Sequence, residues 1–220
     1  MEFISLVRSS AGLILTGMPN VLILTASAFL PSLLIGIFGG VMGSSRFWML
    51  RLLASAYVYI FRSIPFLMFI FLVYYGLPYY DIDIGPMTTA IIALSLCHGA
   101  YMTEIIRGSL LGFDAGQNEA AIALGFSFPQ RLKDIILPQT LMAVIPSLLG
   151  QSILMVKDTS LVSVVGISEL TRLGREVVIR TNEPFVVFTI VAASYFVLCF
   201  GLELAARRLE ARVRRIASRQ

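Results

Sequence analysis

At 220 residues, 57% of them hydrophobic and only 14% charged, with a mean hydropathy of +0.85, the chain is too apolar for an ordinary soluble domain. That length accommodates about five spans of ~20 residues with short connections and leaves no room for a soluble domain of useful size. The formal net charge of +4 belongs to membrane topology rather than to nucleic-acid binding, as the positions of the basic residues below indicate.

In chain order, residues 2–15 place Phe3, Ile4, Leu6, Val7 and Leu13 around a short helix expected to lie on the membrane surface. Ala26-Ser27-Ala28 has the small-x-small form of a cleavage site. The apolar run nevertheless continues through Leu30 to Phe38, and only Arg8 supplies positive charge upstream, so a retained span over 19–43 is expected. Hydropathy places further spans at 47–75, 87–106, 137–156 and 184–204. The second is interrupted near Arg62-Ser63-Ile64-Pro65. Tyr74, Tyr75, Tyr79 and Tyr80 flank Pro78 as an aromatic belt. Cys97 and Cys199, far apart in apolar runs, read as small core residues rather than a disulfide or metal site.

Between the third and fourth spans lies a hydrophilic insert carrying Asp114, Gln117, Asn118, Glu119, Gln130, Arg131, Lys133 and Asp134. Breaks are expected at Gly125 and near Pro129, giving two short helices and a glycine corner, a knob suited to a partner's groove. Placing this insert and the C-terminus in the cytoplasm assigns that side Arg46, Arg51, Arg107, Arg131, Lys133 and six tail arginines, eleven in all. The outer side keeps five, Arg8, Lys157, Arg172, Arg175 and Arg180, so the N-terminus is expected outside and the C-terminus inside. After the fourth span the polar run Lys157-Asp158-Thr159-Ser160 precedes a break at Gly166, and Ser168 is the expected cap of a helix over 169–178. In the tail, Leu202, Ala205, Leu209, Val213 and Ile216 form one apolar stripe continuing the last helix.

Neither Lys133 nor Lys157, the only lysines, follows a glycine, so no phosphate-binding G-x-x-x-x-G-K-[ST] loop is present. No hydrolytic triad, metal-ligand cluster or redox motif appears, and the chain does not read as an enzyme by itself. The pattern Glu119-Ala120-Ala121-x3-Gly125-x9-Ile135-x-Leu137-Pro138 resembles the cytoplasmic coupling loop of permease subunits of ABC importers. Three more stretches are similar to the permeases for polar amino acids, of the histidine, glutamine and arginine type. They are Tyr57 to Pro65 with Phe71 to Pro78, Ala100 to Gly108, and Lys157 to Leu161. Where that family often has Arg-Gly-Thr-Pro, this chain has Arg62-Ser63-Ile64-Pro65.

The resemblance implies an all-α integral membrane protein with the five-helix fold of a type I ABC importer transmembrane domain. It implies one domain over 1–220, with a coupling loop at about 108–137. Implied partners are an ABC ATPase subunit, a second permease subunit (a copy or a related chain), a soluble substrate-binding protein and the amino-acid substrate, in a bacterial inner membrane. No cofactor is implied on this chain, since ATP and Mg would bind the ATPase. Glu119, Ala120, Ala121, Gly125, Ile135, Leu137 and Pro138 would make the coupling element.

Ionisable residues inside a span usually face a cavity or a partner. Glu104, in the third span, and Asp158, at the end of the fourth, are therefore candidates for a substrate ammonium; Lys157, Thr159 and Ser160 complete the candidate set. The alternative is pairing for assembly alone, Glu104 with Arg107 or Arg62 and Lys157 with Asp158. Arg62 reads as a brace near the Pro65 break. His98, the single histidine, reads as a hydrogen-bonded packing residue rather than a proton relay. Two other classes stay open: a proton- or sodium-coupled secondary transporter, and a non-transporting membrane scaffold.

Overall fold

A computed structural model describes residues 2–113 and 115–217, without the side chains of 2–11, 115, 118, 128, 132 and 212–217. Asp114, the tail arginine Arg219, and the side chains of Phe3, Ile4, Leu6, Val7, Arg8, Asn118, Val213, Ile216 and the tail arginines Arg212, Arg214 and Arg215 lie outside the described residues. Among these residues the structure is entirely helical: α1 (Glu2–Gly43), α2 (Trp48–Ser63), α3 (Phe66–Gly76), α4 (Gly85–Leu111), α5 (Ala115–Ala123), α6 (Phe128–Arg131), α7 (Leu137–Asp158), α8 (Leu170–Thr181) and α9 (Pro184–Ala217). Four stretches are long and apolar enough to cross a membrane, 12–43, 85–111, 129–165 and 184–211, and α2 with α3 makes a bent fifth.

The first expectation to change is the N-terminal surface helix. α1 is one helix of 42 residues running through Pro19, about 63 Å at 1.5 Å per residue. Residues 2–15 therefore extend the first span instead of turning away from it. The interruption of the second span is as expected, but it is a corner. α2 and α3 meet at 99°. Pro65 forces Ile64 out of the helical region (φ −93°, ψ 127°), and Pro65 itself is extended at ψ 133°.

α4 is the central post. Two thirds of its most apolar stretch (67%) is buried, against 28% or less for the other three long helices. α1 lies along it because Gly36, Gly39, Gly40 and Gly43 present a surface without side chains. A Cβ on Gly36 would stand 2.6 Å from Met102 Cβ, and one on Gly40 2.7 Å from Ile106 Cγ2. Small residues at this spacing let two helix backbones approach closely in a membrane. One core cluster gathers Leu24, Ile70, Leu94, Met102, Met155 and Val162 around α4. A second, nearer the N-terminal end of α1, joins Leu13, Val21, Val156, Leu170, Val187 and Val191 from α1, α7, α8 and α9.

The cap of α8 differs from expectation. Glu169, not Ser168, is the N-cap: its carboxylate accepts from the Thr171 and Arg172 backbone N–H groups, each at 2.8 Å, and from Tyr195 Oη of α9 at 2.7 Å. The longer acidic side chain reaches both the helix end and a neighbouring span, whereas the Ser168 carbonyl accepts from Asn20 Nδ2 of α1 at 2.7 Å. Burial raises the Glu169 carboxyl above its ordinary range against the opposing pull of these donors.

Candidate functional site

Three groups of residues gather the chemistry that the sequence singles out. The first is the knob between α4 and α7. α5 ends in a left-handed corner with Gly125 at φ +81°. There the Gly125 N–H bonds Ile122 O at 2.9 Å and the Phe126 N–H bonds Ala121 O at 3.0 Å. This pair of bonds is a Schellman stop, which a residue without Cβ adopts most readily. Pro129 does not break the knob as expected; it sits in the first turn of α6, where a missing N–H costs nothing. Ser127 opens that turn, its N–H and Oγ both donating to Gln130 Oε1 at 2.8 Å.

From α6 the chain passes through one wider π-helical turn, Leu132–Ile136, straight into α7. Ile135, Leu137 and Pro138 thus lie on the joint itself. Gln139 Nε2 donates to Gln117 Oε1 at 2.6 Å and ties the knob to the root of α7. Glu119 and Ala120 are exposed and Ala121 is buried. Ile122, Leu124 (77% exposed) and Phe126 form an apolar tip on this hydrophilic insert, which hydropathy alone did not single out.

The second group lines a cleft of about 500 Å³ between α2 and α4. Glu104 is there, engaged as one of the pairing alternatives foresaw: Arg107 Nε donates to its Oε2 at 2.9 Å, and Arg107 Nη2 closes the fork on Oε1. Arg62 and Ser63 contribute from the end of α2. The Arg62 guanidinium lies over the Tyr101 ring, 5.0 Å from its centre, a cation–π contact. Arg62 is thus both beside the Pro65 corner and in the cleft wall. Tyr101 belongs to the site as well; its aromatic ring one turn before Glu104 was the available signal.

The third group surrounds the end of α7. Asp158 is partly open, its side chain 39% exposed, and its Oδ2 lies 3.3 Å from Nε2 of His98, which is 2% exposed. Gln151 Nε2 lies 2.8 Å from the other ring nitrogen, Nδ1. Lys157 and Asp158 do not pair. Lys157 is on another side of the helix end, in a separate cleft of about 460 Å³ with Tyr195, Cys199 and Glu203. Thr159 is fully buried and its Oγ1 donates to Val156 O at 2.7 Å, so its hydroxyl faces its own helix. Ser160 is half-buried beside it. The polar run then ends in a 3-10 turn, Thr159–Val165, that stops at Gly166 with φ +94°. Among the described residues no group of histidine, cysteine and acidic side chains could hold a metal ion.

The second and third groups follow one another along α4, turned about 120° around its axis. His98, Tyr101 and Glu104 recur every three residues, with the His98 and Tyr101 rings 6.5 Å apart. Six residues of helix separate the histidine from the carboxylate by about 9 Å.

Residues 32–215 match the family described as "Binding-protein-dependent transport system inner membrane component". The chain is 33% identical over 184 residues to the glutamine transport system permease protein GlnP of Escherichia coli strain K12, covering 83% of this chain and 84% of that one. It is 34% identical over 197 residues to the L-cystine transport system permease protein TcyB of Bacillus subtilis strain 168, covering 89% and 84%. Among solved structures, a crystal structure of an amino acid ABC transporter with histidines superposes with a TM-score of 0.89 at 32% identity, over 96% of this chain and 99% of that one.

Proposed function

Because the chain belongs to the family of binding-protein-dependent transport system inner membrane components, we propose that it is the membrane-spanning permease of an ATP-driven importer for polar amino acids. The observation that carries the coupling is the knob: a polar insert with an apolar tip, joined by continuous helix to α7. Apolar side chains exposed on a hydrophilic projection mark a docking surface, and a sequence without a G-x-x-x-x-G-K-[ST] loop supports an ATPase on another chain. The partner on that surface is a separate ATPase, which holds ATP and Mg. The knob lies in the cytoplasm of a bacterial inner-membrane system, with the N-terminus outside. A second permease subunit and a soluble binding protein complete the importer, as the family description and the relatives' names support.

The substrate path runs along α4. Glu104 and Asp158 offer carboxylates to an ammonium group, and Arg62 offers a guanidinium to a carboxylate. Since about 9 Å of helix separates the His98 level from the Glu104 level, the two carboxylates serve successive positions rather than one. Closure of the ATPases draws two knobs together; the joint at 132–138 passes that motion to α7, whose outer end carries Asp158. ATP thereby biases an equilibrium between inward- and outward-open bundles. A photocrosslinker placed at Leu124 tests the docking: it should capture the ATPase subunit in the assembled transporter, and failure to do so while the complex remains active would overturn the assignment of the knob.

A further inference from the structure

His98 is the only histidine of the chain and it is buried in the helical core between α4 and α7. Its two ring nitrogens meet groups of opposite kind. Gln151, itself buried, presents its amide nitrogen to Nδ1 at 2.8 Å. An amide NH2 can only donate, so Nδ1 must accept, and the ring proton is left on Nε2. Nε2 makes no aligned hydrogen bond; what stands before it, at 3.3 Å, is Asp158 Oδ2. A small rotation of the partly open Asp158 side chain completes that bond through Oδ2 and leaves Oδ1 as an acceptor for a second donor.

We propose that His98 is the positioning residue of the substrate site, fixed in its Nε2–H form by Gln151 so that it holds the Asp158 carboxylate in register for a substrate ammonium. This rests on the reading of Asp158 as a substrate contact. The arrangement parallels the way a second hydrogen bond sets tautomer and orientation in imidazole sites generally. A packing role alone needs neither a particular tautomer nor an oriented carboxylate. Here the donor comes from Gln151 on α7, seven residues and two turns before Asp158 on the same helix. One helix thus supplies both the anchor of the ring and the group the ring orients.

The test uses the full complex, with ATPase and binding protein, in nanodiscs, with only the permease labelled by 15N-histidine. One histidine gives one assigned ring per permease. The expected spectrum has a protonated Nε2 and an unprotonated Nδ1; Gln151→Leu mixes the two tautomers, and Asp158→Asn moves the Nε2 signal. A ring protonated at Nδ1 alone overturns the proposal. Uptake of L-glutamine, L-arginine and L-cystine is measured in parallel. Asp158→Asn and His98→Leu should each raise the half-saturation concentration about tenfold, the scale of one lost hydrogen bond to a charged group, with kcat much less affected. His98→Gln, which keeps a donor near Nε2, should restore most of it. Sensitivity to Asp158→Asn without sensitivity to His98→Leu overturns the inference and leaves Asp158 as the contact. Indifference to Asp158→Asn removes the contact reading itself, and this inference with it. Should His98→Leu fail to assemble, Gln151→Leu carries the same kinetic comparison.

Discussion

Replacing Gly125 with alanine separates the shape of the knob from its surroundings. Gly125 has φ +81°, and a Cβ built there meets no atom within 4 Å. The whole cost is therefore conformational, about 1–2 kcal/mol for an L-residue with a left-handed backbone. That shifts the balance between formed and opened corner by a factor of about 5–30. Gly125→Asn should cost less, since its short polar side chain tolerates this conformation. The assay is the ratio of ATP hydrolysed to amino acid imported in proteoliposomes, together with the melting temperature of the purified complex. The expected result is a ratio that rises in the order Gly, Asn, Ala, with melting almost unchanged because a Cβ at position 125 meets no other atom. Equal ratios for all three would refute the corner as a coupling element, and a large fall in melting temperature would refute the claim that its cost is local.

Other substitutions probe the bundle and the cleft. Gly36→Ala and Gly40→Ala should each lower stability by about 1–3 kcal/mol through overpacking against Met102 and Ile106, read by thermal denaturation in detergent; Gly201→Ala, which meets nothing within 4 Å, is the matched control and should be neutral. Glu169→Ala leaves the Thr171 and Arg172 N–H groups and the Tyr195 hydroxyl without their acceptor, costing about 1–3 kcal/mol, and should raise hydrogen exchange across the first turn of α8. Glu104→Gln breaks a pair whose two side chains are one-third exposed, so stability should change by under about 1 kcal/mol while amino-acid uptake falls; unchanged uptake would remove Glu104 from the path.

The spans, the Pro65 interruption and the glycine corner were legible because each rests on a local rule: apolar length, the constraint before proline, and the left-handed freedom of glycine. Pro129 misled because the same ring that stops a helix interior starts a helix well. The N-terminal helix misled for a related reason, since nothing in residues 2–15 forbids the helix of α1 from continuing through Pro19. Contacts between distant residues were not legible. Asp158 beside His98, Glu169 beside Tyr195 and the glycine face of α1 against α4 arise only when helices pack. Adjacent positions in sequence gave the pairing of Lys157 with Asp158 as an alternative, yet neighbours on a helix point about 100° apart, and Lys157 lines a cleft with Tyr195 while Asp158 faces His98.

The central claim is that transport is driven by a separate ATPase acting through the knob. Uptake of labelled amino acid into proteoliposomes, with and without the ATPase subunit and at clamped ion gradients, tests it most directly. The account predicts uptake only when the ATPase, the binding protein and hydrolysable ATP are all present, and its loss in Leu124→Asp with the gradients untouched. Uptake by the permease alone under a proton or sodium gradient would contradict it.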